Sequence, residues 1–384
     1  MGKKNIVYLS SFLFWLFGII ILIFGIDYCR RVSNNTFTTK KDREVVEISL
    51  KKENPKVELI AWWDIMLSRW IWWWAKREGY WRVFSWDNYN PLKEFECYRK
   101  WKCVLFFNLE SMFSERDNDN AQWGMTFRAN TWNVQYLLDL KRNNKLLLSL
   151  ANNHTNNAGG NWVSLTREVL EENNIWFCWA WNSVEEAEEI LEIYENWIHL
   201  CFQAFSYEWN SWKYWWVPLA WNPLTFEKGQ EALSKMNDLW CEVKILSTHR
   251  WAEYRFHPAQ KRRDLAYQLI DEWADIILGW HSHIPWEYEE YKWKPIIYSF
   301  WNFLFDQDWW KTANEWGFDY IYDSSLKRRT VPTYILSLAS FTIEKTEEWI
   351  QISRPVFKMA SVWKWLYSPI DDETFQALRE ELNL

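Results

Sequence analysis

Five short apolar runs, at 57–61, 103–107, 146–150, 243–247 and 276–278, each stop just before polar, chemistry-bearing residues. Runs this short suit strands covered on both faces better than buried helices, which need roughly 10–12 residues. Amphipathic segments lie among them at 133–142, 164–173 and 259–272. That alternation predicts an α/β fold. Hairpin-like pairs at 190–206, 287–300 and 340–357 add antiparallel strands, so the sheets are expected to be mixed. The tail at 366–384 reads as a C-terminal helix with Ser368 or Asp371 as its N-cap.

The chemistry collects where the runs end, the usual place for sites in α/β proteins. Asp64 follows the first run, and Asn108 and Glu110 follow the second. Asn152, Asn153 and His154 follow the third, Thr248 and His249 the fourth, and His281 and His283 the fifth. Four of the six histidines fall at these ends, while His199 and His257 do not and read as structural. One Asp or Asn after a strand more often caps a helix or makes an Asx-turn. Five polar ends in succession point instead to a joint site. Carboxylates, an amide oxygen and imidazoles suit one or two divalent ions such as Mn, Zn or Fe. Two such ions can activate water toward a phosphoryl or acyl centre.

The net charge of −7 gives no basic footprint and argues against nucleic acid. Residues 6–26 are uncharged and almost wholly apolar, long enough for a single transmembrane anchor, with a five-residue tail (1–5) before it and a polar linker (27–56) after it. The basic residues after the segment outnumber Lys3 and Lys4 before it, which taken alone favours a cytoplasmic body. No CxxC pair occurs. Cys103, Cys201 and Cys241 sit in strand-like runs and read as buried thiols, although disulfides are compatible with a body outside the cell.

One compositional feature bears directly on the loops: 35 tryptophans against 10 glycines. Trp197, Trp293 and Trp349 fall where hairpins need a turn, and Trp273 falls where glycine commonly closes a helix. A bulky residue at positive φ is an outlier. These positions suggest that many tryptophans stand where the natural protein has glycine, through a UGA codon reassigned to glycine. On that basis tryptophan at 280 and 286 should strain or block the histidine loop. If the indoles are genuine, a Trp-rich carbohydrate-binding protein is the competing expectation.

With glycine at the tryptophan positions, the motifs "WDIMLSRW" (63–70), "NLES" (108–111), "SLANNHTNNAGG" (149–160), "WAWNSVEEA" (179–187), "HRWAEY" (249–254), "WADIILGWHSHIPW" (273–286) and "YKWKPIIYSFWNFLFDQ" (291–307) stand in a familiar order. In these motifs the chain resembles the CapA family of capsule and poly-γ-glutamate synthesis, within the calcineurin-like metallophosphatase superfamily. The resemblance implies a four-layer sandwich of two mixed β-sheets flanked by helices, spanning 57–365. It implies metal ligation by Asp64, Glu110, Asn153, His249, His281 and His283, and a catalytic His154 at the departing group. Arg69, Asn108, Glu253 and Asn302 are expected on the substrate side. The superfamily's first motif has Asp-x-His, whereas Met66 stands here, and Glu110 replaces the usual Asp. The resemblance further implies an anionic surface polymer such as poly-γ-glutamate as partner, with the membrane and other capsule-synthesis proteins, and a body outside the cell. A metal-dependent hydrolase and a non-catalytic polymer-binding or export component are both compatible with it.

Overall fold

The computed structural model describes residues 54–62, 64–68, 90–100, 102–115, 127–155, 160–178, 184–206, 224–249, 253–283, 288–300, 302–304, 321–323, 328–330, 335–363, 366–371 and positions 373, 374, 376, 377 and 380. The expected anchor at 6–26 and linker residues 27–53 lie outside these residues, as do Arg69 and Trp286, while Lys56, the expected end of the linker, already belongs to a strand. Among the described residues, no helix is long and apolar enough to cross a membrane.

Each of the five apolar runs forms a strand. Lys56–Ala61 is β1, Cys103–Asn108 is β2, Lys145–Ser149 is β5, Val243–His249 is β9 and Ile276–Trp280 is β10. Between β2 and β5, β3 (Met112–Ser114) pairs in parallel with β4 (Arg128–Asn130). In the first large sheet, β1, β2, β5 and β6 (Trp176–Cys178) are mutually parallel. The chain returns to this sheet near its end. There β15 (Ile335–Lys345) pairs antiparallel with β1, β16 (Ile350–Ile352) and β17 (Val356–Trp363), and β18 (Leu366–Pro369) closes the edge. In the second sheet, β8 (Ile198–Ser206), β9, β10 and β12 (Lys294–Ile297) run parallel. Its edges are the antiparallel β7 (Leu191–Glu195) and β11 (Tyr288–Tyr291). A separate antiparallel pair joins β13 (Ile321–Asp323) to β14 (Arg328–Thr330). The expected mixed α/β class and all three hairpins are present.

Alternation along the second sheet shows why it sits between two apolar layers. Leu200, Phe202, Val243, Ile245, Ile276 and Leu278 join the core shared with the first sheet. Their neighbours Cys201, Phe205, Leu246 and Ile277 face the other way, packing with the helices Phe226–Asp238 and Gln260–Asp271. A period of two in side-chain direction makes both faces apolar at once. Phe106 of β2 spans the inter-sheet core, with ring centroids 5.1 Å from Phe202 and 5.8 Å from Trp280. At Gly229 the two helices approach closely. A Cβ there would lie 2.2 Å from Leu269 Cδ2, so any side chain at 229 would require Leu269 to move.

Two expectations need correction. The tail does not begin as a helix at 366: Leu366–Pro369 is a strand whose pairing with β17 outweighs its weak helical pattern. The capping interaction falls at Asp371, whose Oδ1 accepts from the Thr374 N–H at 2.7 Å. Cys103, Cys201 and Cys241 are not thiols. Cys97 pairs with Cys103 and Cys201 with Cys241, while Cys178 is free and buried. Cys201 and Cys241 become neighbours because β8 and the start of β9 lie side by side, a proximity that spacing along the chain does not reveal.

Candidate metal centre at the strand ends

β1 and β2 deliver the carboxylates. Ile65 bridges to Leu109 and to Leu304, and the Glu110 N–H donates to the Ile65 carbonyl at 2.8 Å, so backbone pairing continues past both strands and fixes Asp64 beside Glu110. β9 ends on His249 and β10 leads into His281 and His283. The register that pairs Trp280 with His249 brings these histidines together. The rings of His249 and His281 are 4.7 Å apart, and those of His281 and His283 are 5.9 Å apart.

Distances converge on the two carboxylates. His249 Nε2 lies 3.2 Å from Glu110 Oε1 and 3.7 Å from Asp64 Oδ1. His283 Nδ1 lies 3.6 Å from Asp64 Oδ2, and His154 Nε2 is 3.9 Å from Glu110 Oε1. Two sets of donor atoms, Asp64–Glu110–His249 and Glu110–His281–His283, each fall within 4.8 Å of one another. Glu110 belongs to both. Asp64, Glu110 and His249 are almost wholly buried.

Such burial is costly without a cation. Desolvation pushes the Asp64 carboxyl up to about 7, against the lowering effect of hydrogen bonds from Asn108 and the His281 backbone. Burial first, and then the His283 and His154 imidazoles, holds His249 well below its ordinary range. Burial, His249, His154 and Arg262 do the same to His281. Both ring nitrogens of His249, Nδ1 of His281 and Oδ2 of Asp64 are buried without a hydrogen bond. Neutral imidazoles with open lone pairs facing carboxylates are the donor set that a divalent ion requires, so the residues present fit one.

Supporting residues hold this set in place. Asn108 Nδ2 donates to Asp64 Oδ1 at 2.6 Å, and Asn302 Oδ1 meets His283 Nδ1 at 2.8 Å. Both asparagines were expected on the substrate side. Both are buried behind a carboxylate or an imidazole, where they orient it. Asn152 has no expected role of its own, yet its amide donates to Asn108 Oδ1 and the Leu109 carbonyl, and its Oδ1 accepts from the His154 N–H. A polar residue buried directly after an apolar run is the available signal. The His154 ring stacks on Phe127 at 3.8 Å. Glu253 lies 3.7 Å from His281 Nε2 and is more exposed than the cluster's carboxylates. Asn153 sits beside His154, with its Oδ1 buried.

The disturbance expected at position 280 is not seen in the backbone of Trp280, which is not at positive φ. Trp280 itself is wholly buried between Phe106 and Phe300, its indole N–H donating to Ser247 Oγ. The unusual backbone lies just after it, at His281 (φ 87°) and His283 (φ 55°). Histidine tolerates such angles better than most residues, and strained backbone often marks functional sites.

The fold and these strand ends define a mixed α/β protein with a candidate divalent-metal centre. The chain belongs to the family described as Bacterial capsule synthesis protein PGA_cap, which it matches over residues 58–307. It is 26% identical over 175 residues to Capsule biosynthesis protein CapA of Bacillus anthracis, covering 44% of this chain and 42% of that protein. It is 37% identical over 73 residues to PGA biosynthesis protein CapA of Bacillus subtilis (strain 168), covering 19% of each. These matches span less than half the length of either relative. Among solved structures, the calcineurin-like phosphoesterase YfkN from Bacillus subtilis aligns with a TM-score of 0.44 at 12% identity, covering 86% of this chain and 97% of that one. A hypothetical protein from Thermus thermophilus aligns with a TM-score of 0.42 at 11% identity, covering 78% and 98%.

Proposed function

We propose that this chain is a metal-dependent, hydrolase-like protein of capsule or poly-γ-glutamate synthesis, acting on an anionic cell-surface polymer or phosphoester. The observation that carries the reading is the convergence of Asp64 and Glu110 with His249, His281 and His283 in a buried site. An apolar cluster would stabilise the fold at least as well as buried charge. In this reading Asp64, Glu110, Asn153, His249, His281 and His283 hold one or two ions of the Mn, Zn or Fe type. Bound there, such an ion supplies Lewis-acid polarisation of a phosphoryl or acyl oxygen and lowers the pKa of water. The chain's own residues do the rest. Asn108 and Asn302 keep Asp64 and His283 in orientation. His154, steadied by Phe127, gives a proton to the departing atom. Glu253 and Arg69 line the substrate side. The test is hydrolysis of a model phosphodiester and of poly-γ-glutamate with each ion. Turnover lost in both His154→Ala and Asp64→Asn supports the reading, and turnover that survives both variants overturns it.

Met66 favours a second reading. This wholly buried thioether stands two residues after Asp64 and offers no imidazole. A non-catalytic polymer-binding or export component would bind metal and polymer without turning either polymer or phosphodiester over.

The same reading places 6–26 across the membrane and the body outside the cell. The two disulfides support this, since such bonds persist in oxidising compartments. Protease added to intact cells should digest the body. Protection until lysis would reverse the orientation.

We also read many tryptophans as glycine positions. Trp197, Trp240, Trp273 and Trp293 have φ between 58° and 78°, and all four side chains are exposed. Trp62, by contrast, is crowded inside, its ring centroid 3.7 Å from that of Phe303 and its buried Nε1 without a hydrogen bond. Glycine removes both problems. Peptide masses of the native protein decide the matter, and tryptophan at 197 and 293 would end this reading.

A further inference from the structure

A second group of metal-ligating side chains lies where β8 begins and β9 is about to begin, at the end of the second sheet away from His249. His199 Nε2 is 2.9 Å from Glu192 Oε2 and 3.4 Å from Cys201 Sγ. His199, Cys201 and Cys241 each place a ligand atom within 4.8 Å of the others, and all three are buried. His199 Nδ1 lies 3.3 Å from the Trp240 carbonyl. A carbonyl only accepts, so Nδ1 carries a hydrogen toward Trp240, and Nε2 is the ring atom that faces Glu192 and Cys201. Tyr194 stacks on the ring at 4.0 Å and holds its plane. An imidazole pinned through Nδ1–H to a carbonyl, with Nε2 turned toward a carboxylate and a sulfur, has the outer support typical of a metal-bound histidine. The nitrogen–sulfur separation is close to the roughly 3.5 Å edge of a tetrahedral zinc site with ordinary Zn–N and Zn–S bonds.

We propose that, when the Cys201–Cys241 disulfide is reduced, Cys201, Cys241, His199 and Glu192 form a tetrahedral site for a zinc-class ion. The site exchanges one cross-link for another. With a phosphine reductant, water supplies the oxygen of the phosphine oxide, the sulfur–sulfur bond breaks, and each sulfur takes up one proton. The incoming ion then displaces both thiol protons and bridges the same two elements. This inference does not depend on the function proposed for the strand-end centre.

Cobalt(II) titration of the full chain tests it, because thiolate ligation gives a near-ultraviolet charge-transfer band that carboxylate and imidazole ligands alone do not. The phosphine-reduced protein should show the band and bind one cobalt more per chain than the oxidised protein. Zinc should displace that cobalt. A Cys97→Ser/Cys103→Ser variant should keep the band, and His199→Ala should weaken cobalt affinity at this site at least about tenfold. Absence of the band in reduced protein that circular dichroism shows to be folded overturns the proposal. So does a band that survives Cys201→Ser/Cys241→Ser, or loss of the fold on reduction in the presence of zinc.

Discussion

The parallel strands β8, β9, β10 and β12 of the second sheet end very differently at their two extremities. Where β9 and β10 finish, the chain turns inward, and the residues with unusual backbone include His281 and His283, in a cluster with Asp64 and Glu110. Where the four strands begin, the chain turns through solvent. There the residues at positive φ include Trp197, Trp240, Trp273 and Trp293, each just ahead of one of the strands. One end spends its strain on chemistry and the other on changing direction. Positive φ alone therefore does not mark a site; buried polar atoms beside it do.

The largest effect should appear at the turning end and leave the other end intact. Replacing Cys201 and Cys241 with serine opens a loop of 40 residues, and loop-closure entropy predicts a stability loss of about 4 kcal/mol. The Cys97–Cys103 loop spans six residues, and the same argument gives about 2 kcal/mol. Urea denaturation of the two double variants should preserve that order. Divalent-ion affinity at the strand-end centre should be unchanged in both. A parallel loss of affinity would mean that the two ends are not independent.

Asp64→Asn inverts this pattern. Divalent-ion affinity measured by calorimetry should fall by at least about a hundred-fold, because a ligand is removed rather than its outer support. The metal-free protein should not be destabilised, since a buried carboxyl held near 7 is replaced by a neutral amide. Asn302→Ala should weaken affinity by about tenfold, because His283 loses the partner that orients it. An Asn302→Ala variant that binds normally would return Asn302 to the substrate side.

The pH dependence separates the carboxyl from the histidines. Metal uptake needs Asp64 ionised and the imidazoles neutral. His249 and His281 are held well below their ordinary range, so Asp64 sets the response near neutral pH. Affinity should rise about tenfold between pH 6 and 8 with release of one proton, readable in buffers of different ionisation enthalpy. The sign reverses for the metal-free protein. Its folded state binds the Asp64 proton more tightly than the unfolded chain does, so Asp64's contribution to stability falls as pH climbs through about 7. Asp64→Asn should remove both slopes.

What the sequence reveals follows from range. The five strands and their polar ends are local patterns, apolar runs stopped by a carboxylate, an amide or an imidazole, and all five form. The pairing of β1 with β15, which sets Lys56 opposite Glu344, joins segments far apart in the chain and leaves no local trace. The disulfides are hidden for the same reason. β18 reads as part of a helix because "DDETFQALREELNL" is helical in pattern, although the residues just before it are not. The helix Phe226–Asp238 escapes the pattern of apolar runs, although Thr225 caps it through the Lys228 N–H. Within the candidate site, the carboxylate, amide and imidazole groups can be read from the strand ends. The supporting roles of Asn108 and Asn302 cannot, because the sequence shows that a residue is polar but not which way it faces.

The smallest effect tests the turning end itself. A non-glycine residue at φ near 60° costs about 1–2 kcal/mol relative to right-handed backbone. Glycine avoids that cost but loses more conformational entropy on folding, by roughly 0.5–1 kcal/mol. Trp197→Gly and Trp293→Gly should therefore each stabilise the protein by about 0.5–1 kcal/mol in urea denaturation, with no change in metal affinity. His283→Gly relieves the same backbone conformation, yet it should abolish the stabilisation that a divalent ion gives, because this left-handed residue carries an imidazole of the candidate centre. If Trp197→Gly and Trp293→Gly were destabilising, the exposed indoles would be contributing contacts of their own, and the turns could no longer be read as glycine positions.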